Sequence, residues 1–385
     1  MHVVVSKKDL KLASTVVQKA LPKVVVQEER GHLLFTVSGD DLLITGTNND
    51  LKASYRIKTQ ECEGSGAFTI SPKILTKVLV KVDADTIRIE FDKEEHIVKI
   101  YTKEDLKSYT SAQSFPADKM LTFTHELGDD VVLEELDRNI LAAALGYAAS
   151  YLPDLKEDMR TFDQMLIDKG IIYSANGLNK MGFFVCKQFQ GINKLKIRKT
   201  AVPLLAKILS SLPDEKATLF ESERDVGILT DTMRFSCLKS NAEPPEIPTV
   251  HLKSEGPYTR IDKTNLMKHI DRVVASNSTK IGAGIRMTLS GAGEDAHLDI
   301  ELVANLKSNE RIPCARVNDD TADRYEHTTF YTILKDVLTS LKAEKDVRLH
   351  VNDDNKFFKV YESGTIGDER YIAVGLGSYT KVVKQ

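Results

Sequence analysis

Lysines at four-residue spacing are the side chains of this sequence best suited to a recognisable chemistry. Lys73, Lys77 and Lys81 lie about one helical turn apart, in a segment whose apolar residues fall on the opposite side. A flexible, hydrated ammonium group suits weak and mobile contact with phosphate better than a fixed bidentate contact. The row therefore indicates binding to a polyanion, although a single lysine row is also typical of an ordinary solvated helix face.

The residue types that catalysis or metal binding would need are not grouped by their spacing. The cysteines lie far apart without a CxxC pair, and the nine histidines show no HxH or HxxxH spacing. Gly282-Ala283-Gly284 lacks the third glycine and the helix of a dinucleotide-binding fingerprint. Acidic pairs such as Asp129-Asp130 are typical of turns. We predict no catalytic residue, metal or cofactor, and an enzyme remains the main rival class.

The segments that must position the lysines recur along the chain. Residues 74–79, 204–209 and 333–338 share one apolar pattern, and their starts are about a third of the 385-residue chain apart. Strand-like alternation precedes and follows each copy. A second helical pattern opens each unit, near residues 10–21, 140–150 and 266–276. Because both patterns recur at similar spacing, we predict an internal triplication.

Charge is distributed unevenly, although the formal net charge is only −3. The six predicted helices together carry +11, which leaves −14 for the rest of the chain. Ser71 and Pro72 predict the start of the helix with the lysine row. Cations concentrated on helices from all three units favour a shared electropositive surface over three unrelated solvated faces.

Turn and proline signals predict the fold class and the module boundaries. Residues 38–41, 290–293 and 352–355 are typical of hairpin loops between short strands. Each module is expected to be two helices on one face of an antiparallel sheet, which makes an α+β fold. Interruptions near 115–118 and 243–248 place the modules at 1–119, 120–250 and 251–385, the last with a short C-terminal extension.

Over essentially its whole length, the sequence resembles the bacterial DNA polymerase III beta subunit, the replication sliding clamp. Besides the three modules, the features that carry the resemblance are residues 42–48, Phe115-Pro116, Arg160 with Met165-Leu166, Pro245 with Val250, and residues 371–374. No one of them is specific, but their order and spacing together are.

The resemblance implies a head-to-tail homodimer, in which six modules close into a ring and the helices line a hole that holds duplex DNA. It implies a non-enzymatic processivity factor in the cytoplasm, on the nucleoid, with no membrane association. The implied partners are double-stranded DNA without sequence preference, DNA polymerase, the clamp loader and other clamp-binding peptides.

For DNA contact we favour Lys23, in the loop after the first helix, together with cations of the predicted helices. These are Lys8, Lys11, Lys73, Lys77, Lys81, Arg198, Lys199, Lys207, Lys268, Arg272 and Lys342.

By position, the resemblance also implies a pocket for partner peptides between the second and third modules. Its walls would be Phe162, Ala175, Gly177, Leu178, Met181, Pro245, Val250, Ile372, Val374 and Leu376. Residues 175–181 depart from the family pattern by one extra residue, and the chain continues past Leu376 to Gln385, as in a divergent or phage-encoded member. Ordinary interdomain core is the alternative for these residues. A scaffold that never encircles DNA is the alternative for the whole protein.

Overall fold

The structure is a computed structural model, and two compact units account for its contacts. It describes residues 1–378 except 26, 49, 102–107, 121–124, 155–161, 178, 244–245, 253–256, 276–283, 304–307, 319–324, 342–345 and 351–356; the side chains of Val250 and Phe357 are also left undescribed. Unit 1 comprises Met1–Arg138 and Ser211–Lys239, and unit 2 comprises Asn139–Ser210 and Ser240–Gln385.

Within the described residues, six α-helices occupy the predicted positions. They are α1 (Lys7–Val17), α2 (Pro72–Lys81), α3 (Arg138–Ala149), α4 (Val202–Leu209), α5 (Lys263–Ala275) and α6 (Tyr331–Ser340). α1 contacts α2 within unit 1, and α5 contacts α6 within unit 2. The helical segments predicted from apolar spacing are therefore confirmed.

Strands make up most of the remaining regular structure. In chain order they are β1 (His2–Ser6), β2 (Leu33–Ser38), β3 (Asp41–Thr47), β4 (Leu51–Lys58), β5 (Glu61–Glu63), β6 (Gly66–Ile70), β7 (Thr86–Asp92), β8 (Ile97–Tyr101), β9 (Tyr109–Gln113), β10 (Val131–Asp137), β11 (Gln164–Asp168), β12 (Ile171–Asn176), β13 (Lys180–Cys186), β14 (Leu195–Arg198), β15 (Lys216–Glu221), β16 (Asp225–Leu229), β17 (Met233–Leu238), β18 (Tyr258–Asp262), β19 (Gly284–Ser290), β20 (His297–Val303), β21 (Asn309–Pro313), β22 (Ala315–Val317), β23 (Tyr325–Phe330), β24 (Asp346–His350), β25 (Phe357–Ile366) and β26 (Glu369–Ser378).

The described strands of each unit form two antiparallel sheets. In unit 1 the strand orders are β5-β1-β7-β8-β9 and β10-β15-β16-β17-β4-β3-β2-β6. In unit 2 they are β14-β11-β12-β13-β26-β25-β24-β18-β22 and β21-β20-β19-β23. The strands of residues 1–119 thus divide between two sheets, where we had predicted one sheet per module.

The larger sheet of each unit joins strands that are distant in sequence. β17 pairs with β4, so that Phe235 lies opposite Ala53. β13 pairs with β26, so that Phe183 lies opposite Val374. Both pairings cross the predicted module boundaries, which explains why the compact units do not coincide with the predicted modules.

The amphipathic pattern explains how α2 presents its lysines. Leu75, Val78 and Leu79 are buried, whereas the three lysines of the row are exposed. Ser71 is the N-cap residue and Pro72 lies in the first turn, as predicted. The Ser71 side chain, however, makes no capping hydrogen bond with the described residues. In α1 the Ser6 hydroxyl does accept a hydrogen bond from the backbone N–H of Asp9, at 3.3 Å.

Tyr151 is the largest fully buried side chain of the core and lies in unit 2. Its Oη is 2.6 Å from Oγ of Ser340. A Cβ atom at Gly375 would lie 2.1 Å from the same Oη, and one at Gly182 would lie 2.3 Å from Cδ2 of the ring. The tyrosine therefore occupies the space that side chains at these two strand positions would fill.

The cysteines form no disulfide, and all four are thiols. Burial raises the pKa of Cys186, and it raises that of Cys314 to about 11.

Among the helices of the described residues, none combines the length and apolarity that a membrane crossing requires.

Candidate nucleic-acid interface and peptide pocket

The lysine face of unit 1 consists of five exposed side chains on two helices in contact. Lys8 and Lys11 are exposed on α1, and Lys73, Lys77 and Lys81 are exposed on α2. The apolar side chains on the other side of each helix are buried. Because the ammonium groups lie on neighbouring helices, their potentials add over one surface.

Other predicted cations are also accessible. Lys23, which follows the first helix, is exposed, as are Lys207 on α4 and both Lys268 and Arg272 on α5. Arg198 is half-buried at the end of β14. Lys342 lies outside the described residues.

Lys199 does not fit the predicted DNA-contact surface. Its side chain is only 7% exposed. Its Nζ lies 2.7 Å from a carboxylate oxygen of Asp163 and donates to the carbonyl oxygen of Asp154 at 3.1 Å. A buried ammonium held in this way cannot reach a phosphate without breaking the pair and leaving the carboxylate without its cation. We therefore leave Lys199 out of the proposed interface.

Acidic side chains on the helices of unit 2 are held in ion pairs. Asp271 on α5 accepts hydrogen bonds from Lys335 at 2.9 Å and from the Tyr331 hydroxyl at 2.7 Å. Asp336 on α6 pairs with Lys180 at 2.8 Å. The hydroxyl of Tyr331 and the carboxylate of Asp271 raise the pKa of Lys335, so its charge persists at neutral pH.

Four residues of the predicted peptide pocket form one apolar cluster in unit 2. Ala175, Met181, Val374 and Leu376 share it with Tyr173, Phe183 and Tyr361, and each of the seven is at most 7% exposed. Phe162 and Ile372 pack against it with part of their surface accessible, as do Ile247 and Leu252. The structure thus brings six predicted residues together, in a closely packed cluster with a partly exposed rim.

Of the four remaining predicted pocket residues, the structure describes only Gly177 in full. Gly177 is half-buried in the turn after β12, with a φ of +54° that favours glycine. Leu178 and Pro245 lie outside the described residues, and the side chain of Val250 is not described.

Strand register explains why the cluster forms and which members sequence reasoning missed. Ala175 lies opposite Met181, which lies opposite Leu376. Directly opposed residues of an antiparallel pair point to the same face. Tyr173, Phe183 and Tyr361 form the neighbouring row through Val374. The two-residue alternation along β12, β13 and β26 is the signal that could have identified Tyr173 and Phe183.

On the next two strands, β25 and β24, basic side chains continue the same two rows. Leu376 lies opposite Lys359, which lies opposite His350, and Tyr361 lies opposite Arg348. Burial first, and then the nearby cations Lys359 and Arg348, lower the pKa of His350 to about 4. Burial also lowers the pKa of Lys359. The apolar cluster therefore borders a cationic edge that the sequence did not predict.

A cavity of about 400 Å³ opens in unit 1, at a place that the sequence did not single out. Its lining combines apolar, hydroxyl and charged side chains. These are Pro22, Val24, Arg30, His32, Leu34, Thr45, Gly46, Thr47, Asn48, Asp50, Lys119 and Met120. Its volume is within the range of about 300–1,000 Å³ that ligand pockets occupy.

His32 is a buried polar residue in the lining of this cavity. It is 6% exposed, and its ring meets that of Phe115 edge-on, with centroids 4.7 Å apart. Burial lowers its pKa, against the opposing effect of the Glu28 and Glu29 carboxylates. Its buried Nδ1 has no hydrogen-bond partner among the described residues. A neutral imidazole with an unused ring nitrogen therefore lines the cavity.

The first part of the chain matches the model of a known protein family. The family model of the DNA polymerase III beta subunit, N-terminal domain, matches residues 1–118. No curated protein matches the sequence.

Solved structures match over almost the entire chain. A DNA polymerase III subunit beta sliding clamp from Bartonella birtlesii, bound to griselimycin, gives a TM-score of 0.81 at 14% identity, covering 99% of this chain and 100% of its own. The corresponding clamp from Pseudomonas aeruginosa, also bound to griselimycin, gives 0.80 at 16% identity with the same coverage. The beta subunit from Thermotoga maritima gives 0.78 at 14% identity, again with the same coverage.

These low identities fit a divergent sequence. The resemblance inferred from the sequence is confirmed, since residues 1–118 match the N-terminal domain of the DNA polymerase III beta subunit and the chain has the fold of the beta sliding clamps.

Proposed function

We propose that this protein is a DNA sliding clamp, a non-enzymatic processivity factor that encircles duplex DNA. Two chains associate head to tail into a closed ring of six modules, with module boundaries at 1–119, 120–250 and 251–385. The ring works in the cytoplasm, on the nucleoid. The observation that carries this proposal is the lysine face of α1 and α2 on a chain with the clamp fold.

Electrostatics supports a mobile contact with DNA. Duplex DNA presents about one negative charge per 1.7 Å of helix axis, so a lysine-bearing surface meets phosphate at every position. Contacts to phosphate carry no sequence information. Long, hydrated lysine side chains exchange phosphates easily, which suits sliding.

The mechanism is topological, with no bond-making step. A closed ring cannot dissociate from circular DNA even when each electrostatic contact is weak. A polymerase bound to the ring gains a high effective concentration at the DNA, and thus processivity.

Partner proteins would bind at the apolar cluster of unit 2. The partly exposed rim, with Phe162 and Ile372, provides apolar surface for a short peptide from a polymerase or a clamp loader. The adjoining cationic edge of Arg348 and Lys359 favours acidic residues in such a peptide.

Retention on nicked circular plasmid tests the ring directly. The protein is expected to elute with the circle in gel filtration and to be lost when the plasmid is linearised, because only a topological link depends on free ends. Retention that is equal on both forms, or absent on both, would support the non-encircling scaffold instead.

A charge-reversed variant tests the lysine face in the same assay. Changing Lys73, Lys77 and Lys81 to glutamate should weaken association with DNA and reduce its salt dependence. Lys93, Lys187 and Lys194 are exposed lysines outside the six helices, and their reversal changes the net charge equally. An equal loss in both variants would assign the effect to total charge and remove α2 from the interface.

A further inference from the structure

The cavity of unit 1 lies at the position that the internal repeat makes equivalent to the proposed peptide pocket. The β2–β3 hairpin closes with Ser38 opposite Asp41, and the β11–β12 hairpin closes with Asp168 opposite Ile171. Both turns contain two residues, so the two hairpins superpose in sequence with a constant offset of about 130 residues, the period of the triplication.

This offset pairs some of the residues that line the cavity with residues of the predicted pocket. His32 takes the place of Phe162, and Thr45 takes that of Ala175. Thr47 and Asn48 take the places of Gly177 and Leu178. Two of these cavity positions, His32 and Thr45, thus correspond to residues that form or contact the cluster of unit 2.

The two places differ in how they are filled. In unit 2, Ile247 and Leu252 pack against the cluster. In unit 1, Lys119 and Met120, from the segment that follows the first module's last strand, line an open cavity instead. Val24 stands at its mouth and is 80% exposed, and the adjacent Val25 is 47% exposed, so that apolar surface is open beside the cavity.

We propose that this cavity is a second peptide-docking site, which takes a short linear segment with an apolar anchor residue next to a carboxylate. The inference rests on the proposed function. The anchor enters between Val24, Leu34 and Met120. Two of the three charged lining side chains, Arg30 and Lys119, are cationic and exposed, and they meet the carboxylate.

Selection from a library of random seven-residue peptides displayed on phage provides the probe. The full-length protein is the target, and peptides that also bind the Val24→Glu variant are removed. Affinities of the selected peptides are then measured by fluorescence anisotropy. Val24→Glu and Met120→Glu should each weaken binding about tenfold or more. In each variant a carboxylate replaces an apolar side chain of the cavity and repels the acidic residue of the peptide.

Two matched variants distinguish binding at the cavity from binding elsewhere on the chain. Val131 is another exposed valine of unit 1, 59% exposed and outside the cavity, so Val131→Glu should leave affinity within about twofold. Phe162→Ala alters only the pocket of unit 2 and should also leave it unchanged. Lys119→Ala should weaken a peptide that carries the carboxylate more than the same peptide with that residue changed to its amide.

Hydrogen exchange of the complex locates the peptide. Protection of residues 45–48 supports the proposal. Protection of residues 172–176 instead, with sensitivity to Phe162→Ala alone, would overturn it and leave the sliding-clamp function intact, as would a selection that yields no peptide sensitive to Val24→Glu. Loss of plasmid retention with peptide binding at the cavity intact would overturn the ring and leave the cavity assigned.

Discussion

The cavity of unit 1 and the apolar cluster of unit 2 each include residues of a hairpin with a two-residue turn, and they have opposite character. Where unit 2 has Phe162 and Ala175, unit 1 has His32 and Thr45. In unit 2, Ile247 and Leu252 pack against the apolar side chains, and the result is a packed cluster. Polar side chains in unit 1 leave a space of about 400 Å³ open. The side chains at these positions therefore govern how much of each site the chain itself fills, which leaves an apolar rim in unit 2 and an open cavity in unit 1.

The largest expected effect breaks the packing of unit 2. A methyl group at Gly375, between two cluster residues, would lie 2.1 Å from Oη of Tyr151 and 2.9 Å from Cγ1 of Val337. Gly375→Ala should therefore destabilise the protein by about 3 kcal/mol or more, measured by urea unfolding. Gly146→Ala is the control, because its nearest neighbour would be 4.0 Å away. Equal stability of the two variants would contradict the close approach at Tyr151.

A buried histidine in each unit predicts a matched dependence of stability on pH. The pKa of His125 and that of His350 are each lowered to about 4, chiefly by burial. Between about pH 6.5 and 4 the unfolded chain binds more protons than the folded chain. The stabilisation is complete above pH 6.5 and is lost as the pH falls from about 6.5 to about 4, by up to about 3 kcal/mol for each histidine.

Substitution separates the two contributions. His125→Gln and His350→Gln should each flatten part of the stability curve between pH 6.5 and 4, measured by thermal unfolding across that range. Near pH 5 the double variant should lose the sum of the two effects, since the histidines lie in different units. A wild-type curve that is flat in this range would show that neither imidazole is as enclosed as the structure indicates.

A smaller effect should follow when the polar site is made to resemble the apolar one. His32→Phe introduces the side-chain type of Phe162 and removes a buried nitrogen that lacks a partner among the described residues. We expect stabilisation of about 1 kcal/mol, together with weaker peptide binding at the cavity. His32→Asn keeps a polar group and should not stabilise. Destabilisation by His32→Phe would show that the imidazole makes contacts that a phenyl ring cannot replace.

The smallest expected effect concerns the mouth of the cavity. Val24→Ser should change the free energy of unfolding by less than about 0.5 kcal/mol, because its side chain has little packing to lose. Ile372→Ser, at the partly buried rim of the unit 2 cluster, should cost clearly more. Thermal unfolding of the two variants side by side measures the difference.

Local periodicity was sufficient for the helices and for the α2 lysine row, because side-chain spacing alone determines which face of a helix is buried. Lys199 and Lys207 show where this reasoning ends. Both follow the same second-module pattern, yet Lys199 is buried against Asp163, a partner distant in sequence, while Lys207 is exposed.

Strand pairing was likewise beyond local patterns. The register of β13 against β26 depends on residues nearly two hundred positions apart, and it determines which side chains join Ala175 and Leu376. The resemblance to a family supplied those pocket positions, whereas the strand alternation itself would have supplied Tyr173 and Phe183.

The insertion of β26 into the middle of the nine-stranded sheet has a consequence for synthesis on the ribosome. All strands of unit 1 have been made once Leu238 has emerged, whereas β13 lacks its neighbour until residues near 378 are translated. At about 5–20 residues per second, the 192 residues between the end of β13 and residue 378 require an interval of roughly 10 to 38 s. During it, the edge of β13 is open to chaperones and to wrong pairing with other nascent chains.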